Sequence, residues 1–172
     1  MLDVSHLPFV HRNTIGRGNA TLVNGPYTTL ENDRIRVWLD NQPDVGLPAI
    51  KPTEMPPPDK APMLFLNFPN LWQIGSSEKL RVVNVIAPLD DDNVVIYVRT
   101  YQNITSIPLV RSVITGWTNL FNRWILNEDY AITRSQRPNK SLKIGEYFIP
   151  ADRPIALYVQ HRRNLIELAK QS

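Results

Sequence analysis

Asp3, His6 and His11 lie within nine residues of one another in Met-Leu-Asp-Val-Ser-His-Leu-Pro-Phe-Val-His, and they take up two of the chain's three histidines. Imidazole suits iron, zinc, copper and nickel, and two histidines with one carboxylate form the triad that holds Fe(II) on one face. A carboxylate bonded to a ligating imidazole fixes its tautomer and raises its basicity. Asp3, three residues before His6, can reach that ring from the same side of a helical turn. The same spacing also fits two unrelated surface histidines near a chain end.

These residues must be held by the elements around them. Residues 3–12 read as a helix kinked at Pro8, which lacks a backbone donor. A Gly- and Asn-rich loop follows through Gly25-Pro26, with Gly16 and Gly18 permitting left-handed backbone. Arg34–Asp40 alternates polar and apolar residues, the mark of a half-buried strand. Residues 43–62 contain seven prolines, too many for a ladder or helix interior, and are expected to form an extended surface connection. Met63–Phe68, with Leu71–Ile74 after Pro69, forms the next strand region. Lys79–Ile86 and Asn93–Tyr101 are β-branched, and the Asp90–Asn93 turn joins them as a hairpin. That acidic turn reads as solvated, because Asp and Asn are ordinary turn residues.

From Pro108 the period becomes helical. Val110, Val113, Ile114, Trp117, Leu120, Phe121, Trp124 and Ile125 follow the i, i+3, i+4, i+7 pattern and predict a core-facing stripe. At about 100° per residue, Glu128 falls near the centre of that stripe and Asp129 near its edge. Carboxylates are rarely buried unless paired or metal-bound, although both groups also read as the solvated end of the helix. Pro138 is expected to stop it. A second helix is expected from Asp152, its N-cap, with Pro154 in the first turn. It should run to about Lys170 and pack through Ile155, Tyr158, Val159, Leu165, Ile166 and Leu168. Strands in the middle, a long helix across them and a closing helix predict one α+β domain over residues 1–172.

Composition narrows the function classes. The absence of cysteine excludes disulfides and suits a cytoplasmic protein. No apolar run approaches the roughly 20 residues of a membrane span, and no signal peptide is expected ahead of the motif. A net charge of +3 with scattered basic residues gives no basic, aromatic-interleaved stripe for nucleic acid. Arg162-Arg163 reads as a solvated helix face.

The segment Leu2–Gly16, with its D-x-x-H-x4-H run, resembles the mononuclear-iron segment of Rieske-type ring-hydroxylating oxygenases. Asn127–Pro138 resembles that family's acidic helix segment, and Ile149–Tyr158 the entry to its C-terminal helix. The likeness is strongest at the two ends and weak between residues 20 and 105. It implies a helix-grip fold, in which a curved antiparallel sheet wraps a long helix with a pocket between. It implies that His6, His11 and Asp129 ligate a mononuclear Fe(II), with Asp129 preferred to Glu128 on the match of Asn-Glu-Asp. Asp3 would bridge from His6 to an electron-delivering [2Fe–2S] centre, usually on a neighbouring subunit of a homotrimer. Phe9, Phe65, Trp117, Phe121 and Trp124 would wall the pocket.

A Rieske centre needs two cysteines and two histidines, and this chain has no cysteine and one further histidine, His161. The resemblance is therefore to the catalytic portion alone, shortened at its N-terminus or completed by a separate Rieske polypeptide and a reductase. The implied activity is hydroxylation or demethylation of an aromatic or other hydrophobic substrate with O2. A non-catalytic helix-grip module, or an inactive shortened product, is the alternative. A zinc hydrolase is a weaker third reading, since no general base sits beside the ligands.

Overall fold

In a computed structural model of the chain, residues 2–16, 22–42, 46, 48–135 and 148–171 are described. The alternating segments build a six-stranded antiparallel sheet: β1 (Leu22–Glu31), β2 (Arg34–Gln42), β3 (Leu64–Asn67), β4 (Leu71–Ser77), β5 (Leu80–Pro88) and β6 (Val94–Gln102). Spatial order follows sequence order, so each strand pairs with its neighbour through a short turn or, between β2 and β3, through the proline-rich excursion. The fold is α+β, as predicted. Among the described residues three α-helices complete it: the single turn α1 (Leu7–Val10), the long α2 (Pro108–Ser135) and α3 (Arg153–Gln171). None of the described helices is long and apolar enough to cross a membrane.

Two departures from the sequence reading have local causes. β1 begins at Leu22, inside what reads as a loop, because Gly25 interrupts the alternation without ending the strand. A register shift between Asn24 and Tyr27 absorbs it, and Gly25 takes φ +84° where a Cβ would meet Tyr27 N at 2.8 Å. The β1–β2 turn is the two-residue loop Asn32-Asp33, both at positive φ, a conformation that Asn and Asp tolerate and that matches strand twist. The N-terminal motif, in turn, is not one kinked helix. It is a bend, the four-residue α1 and a further turn through Gly16. The tight return at Gly16 is the reason: its N–H bonds His11 O at 2.7 Å, and a Cβ there would lie 2.2 Å from Leu7 O. Gly16 thus serves close approach, with no left-handed φ; Gly18 lies outside the described residues.

Register sets the interior. Ile35 faces Leu66, Leu66 faces Trp72, Trp72 faces Asn84 and Asn84 faces Val98, so one row of side chains crosses five strands on the same face. A parallel row runs Val37, Leu64, Ile74, Val82 and Thr100. Leu2 and Val4 lie buried against these rows, and Ile155, Leu157 and Tyr158 of α3 pack beside them. Burying side chains of this kind is worth about 1.5–3 kcal/mol each. The N-terminal segment is therefore pinned by its apolar residues on either side of Asp3, which fixes where the histidines emerge.

The helices dock differently from the wheel reading. On α3 the packing comes from the first half, through Pro154–Val159, and Leu165 and Leu168 are exposed. Asp152 stands just before α3 and accepts the Ile149 N–H at 3.1 Å. On α2 most of the predicted stripe faces outward: Val110, Val113, Trp117, Leu120, Phe121 and Trp124 are exposed, Trp117 by 70%, while Ile114 and Ile125 are half-buried. The side that meets β6 is bonded through polar groups. Asn122 donates to Thr100 Oγ1 at 3.1 Å, Thr100 donates to Asn119 Oδ1 at 3.0 Å and Gln102 donates to Arg111 O at 3.3 Å. These bonds seat α2 on β6. Ile125 and Leu126 are half-buried beyond them and bring Glu128 and Asp129 over the N-terminal segment.

Candidate metal centre

The two distant segments that carry the candidate ligands meet at one point. Asp129 Oδ1 lies 3.1 Å from His11 Nε2 and 3.4 Å from His6 Nε2. One ligating atom from each of the three side chains lies within 4.8 Å of the others. Among the described residues this is the one cluster of three or more His, Cys, Asp or Glu side chains so arranged. Three ligands about 2.1 Å from one ion and mutually at right angles stand about 3 Å apart. The two edges to Asp129, 3.1 and 3.4 Å, match that spacing, and the imidazole nitrogens lie within 4.8 Å of each other, so the donor set can close on a single divalent ion.

The other nitrogen of each imidazole has a fixed partner. His6 Nδ1 lies 2.5 Å from the backbone oxygen of Asp3, and His11 Nδ1 lies 2.8 Å from Glu128 Oε2. Both partners only accept, so in the neutral ring each Nδ1 carries the proton and each Nε2 is left with its lone pair toward the cluster. Thr14 donates to the same Glu128 oxygen at 2.6 Å, locking that carboxylate between two donors. This arrangement orients ligating histidines in metal proteins generally. His11 is only 1% exposed, so its orientation is also fixed by packing.

Charge follows this geometry. The Thr14 hydroxyl, and then the His11 ring, hold the Glu128 carboxyl below its ordinary 4.5. Burial pushes the Asp129 carboxyl up, but in the metal-free protein, with both protons on the rings, the hydrogen bond from His6 Nε2 and the fields of His11 and His6 outweigh it and leave Asp129 below 3.8. A carboxyl depressed in the folded state stabilises the fold above its unfolded pKa, and that contribution is lost as pH falls through the folded value. The metal-free protein should therefore lose stability as pH drops below the 3.8–4.5 range. A Glu128→Gln, Asp129→Asn variant should lose less over the same interval in thermal unfolding. Equal slopes would show that the two carboxylates are not held by the histidines.

Each predicted site residue has a definite place. His6, His11 and Asp129 come together as expected, and Glu128 holds the His11 ring. For Asp3 the expectation needs correction, because its backbone carbonyl, and not its carboxylate, bonds His6. The carboxylate Oδ2 stands 3.9 Å from His6 Nδ1, while Oδ1 accepts the N–H and hydroxyl of Ser5, a local turn that competes for it. His161 is remote from the cluster: its Nε2 meets Asp33 Oδ1 at 2.7 Å and its ring packs on Phe68. Thr14 was not singled out by sequence; its place three residues after His11 is the only hint of its role.

A cavity of about 170 Å³ opens beside the cluster, with Asp3, His6, His11 and Asp129 in its wall. The rest is largely apolar, drawn from the two sheet rows and from Ile125 and Leu126 of α2. The expected aromatic walls are replaced. Phe9, Trp117, Phe121 and Trp124 are exposed, because α2 turns that stripe away from the sheet. Phe65 points to the opposite face from Leu64 and Leu66, and Trp72 is the aromatic residue that lines the cavity. The chain matches no protein-family model, and no curated protein matches it in sequence.

Proposed function

We propose that this chain is the catalytic portion of a mononuclear non-haem iron oxygenase of helix-grip architecture, acting on a compact hydrophobic substrate. The observation that carries the reading is the convergence of His6, His11 and Asp129 with both Nδ1 protons already committed to Asp3 O and Glu128. Fe(II) held by two histidines and one carboxylate keeps coordination positions open for O2 and supplies the oxygenation chemistry.

The chain's own residues would do the rest. Asp129 contributes one negative charge, so the site neutralises half of a divalent ion's charge. Glu128 and the Asp3 carbonyl keep the rings from rotating, and Leu2 and Val4 anchor the segment that carries them. Leu64, Trp72, Ile74 and Val98 exclude water from the space next to the ligands and hold a substrate there by its apolar surface. Electrons would come from a [2Fe–2S] Rieske centre on another domain or subunit, served by a reductase, in a trimeric assembly. A non-catalytic binding module is the second reading, favoured by the apolar character of the cavity alone.

The two readings separate on metal. Anaerobic reconstitution followed by metal analysis is expected to give one Fe(II) per chain. A chain that binds hydrophobic ligands yet takes up no iron, cobalt or zinc at this cluster would be the binding module and not the oxygenase.

A further inference from the structure

Along the row Ile35, Leu66, Trp72, Asn84 and Val98, one residue breaks the apolar character of the sheet face. Asn84 is 4% exposed, and its Oδ1 is buried without a hydrogen-bond partner among the described residues. Buried polar groups are nearly always paired, because an unpaired acceptor in an apolar wall costs stability. The neighbours across the strands, Trp72 and Val98, do not pair it. Asn122 on the opposite wall of the cavity donates to Thr100 instead. Asn84 lines the same cavity as His6, His11 and Asp129.

We propose that Asn84 is the specificity-determining anchor of this cavity, accepting a hydrogen bond from a hydroxyl or N–H on an otherwise apolar, single-ring ligand. The size of the cavity supports the class. An apolar cavity of about 150 Å³ admits benzene, and this one has about 170 Å³. Asn84 Oδ1 has almost no accessible surface of its own, so with the ring against Trp72, Ile74 and Val82 a turn of the Asn84 amide would bring its oxygen to a donor group on the ring, and the ligand's orientation toward the histidines would then be fixed by one bond. Apolar contact alone discriminates weakly, whereas a buried polar group left unpaired rejects the analogue that cannot pair it. The inference rests on the cavity being the substrate site of the proposed oxygenase, but not on which metal is bound.

Phenol and toluene are near-isosteric probes that differ in a hydroxyl against a methyl. Their dissociation constants are measured calorimetrically on metal-free protein, for the parent and for Asn84→Leu, which keeps the volume and removes the acceptor. The ratio of the toluene constant to the phenol constant is expected to fall about tenfold or more in Asn84→Leu. Should that variant not fold, the parent gives an independent readout: the Asn84 side-chain amide resonance should move with phenol and stay in place with toluene. An unchanged ratio, an amide signal indifferent to phenol, or no saturable binding of either probe overturns the proposal. A water molecule satisfying Oδ1 permanently would give the first or second of these results. Iron content, measured separately on the parent and on Asn84→Leu, shows whether the oxygenase reading stands or falls on its own.

Discussion

Asp129→Ala is expected to abolish Fe(II) binding under anaerobic titration, while Glu128→Ala keeps the metal with about 10–100-fold lower affinity. The two carboxylates are sequence neighbours of similar charge, so the contrast tests geometry. Asp129 Oδ1 lies within 3.4 Å of both Nε2 atoms, whereas Glu128 Oε2 meets the far side of the His11 ring and cannot share an ion with Nε2 of the same ring. Losing Asp129 would remove one of the three proposed ligands and the charge that would offset the ion. Losing Glu128 would free His11 to change tautomer and leave Thr14 only the longer bond to His11 O, which weakens the site and spares its donors. A His6→Ala, His11→Ala double variant should match Asp129→Ala. Retention of iron by that double variant would sink the ligand assignment, and the reverse order for the carboxylates would make Glu128 the ligand.

That contrast was half visible in the sequence. The helical wheel centred Glu128 and put Asp129 at the edge, yet both side chains face the histidines, because α2 meets β6 through polar groups and not through most of its apolar stripe. Periodicity identifies that a helix has two faces; it does not say which one finds the sheet. Here Asn119 and Asn122 have specific partners on β6, and that choice turned Trp117 and Trp124 outward with the expected pocket walls. The strands from β2 onward were legible because β-branched alternation and turn residues agree along them. β1 was not, since Gly25-Pro26 reads locally as a break and only pairing with β2 reveals the strand. The spacing of Asp3, His6 and His11 announced a possible site, but the role of the Asp3 backbone did not follow, because side-chain type says nothing of a carbonyl. Asn84 was invisible for a related reason. A single Asn in a strand signals nothing until register places it between Trp72 and Val98.

The chain by itself is expected to show no sustained NAD(P)H-driven oxygenation, and a Rieske protein with its reductase is expected to restore it. The 172 residues contain no cysteine with which to build a [2Fe–2S] centre, so under the proposed oxygenase reading the second source of electrons would be another domain or subunit. Asp3 then becomes the informative position. Its carboxylate is 40% exposed and stands 3.9 Å from the His6 ring, between solvent and the proposed ligands. Because the backbone carbonyl holds His6, Asp3→Asn should leave the ring in place, and the new amide oxygen can still accept from Ser5. The substitution therefore removes a negative charge and little else. Iron content should stay near that of the parent, while coupled turnover in the reconstituted system drops by about 10–100-fold. Steady hydroxylation by the isolated chain would contradict the need for a partner. An Asp3→Asn variant as active as the parent would leave the carboxylate no part in electron delivery, and reduce Asp3 to the residue whose carbonyl orients His6.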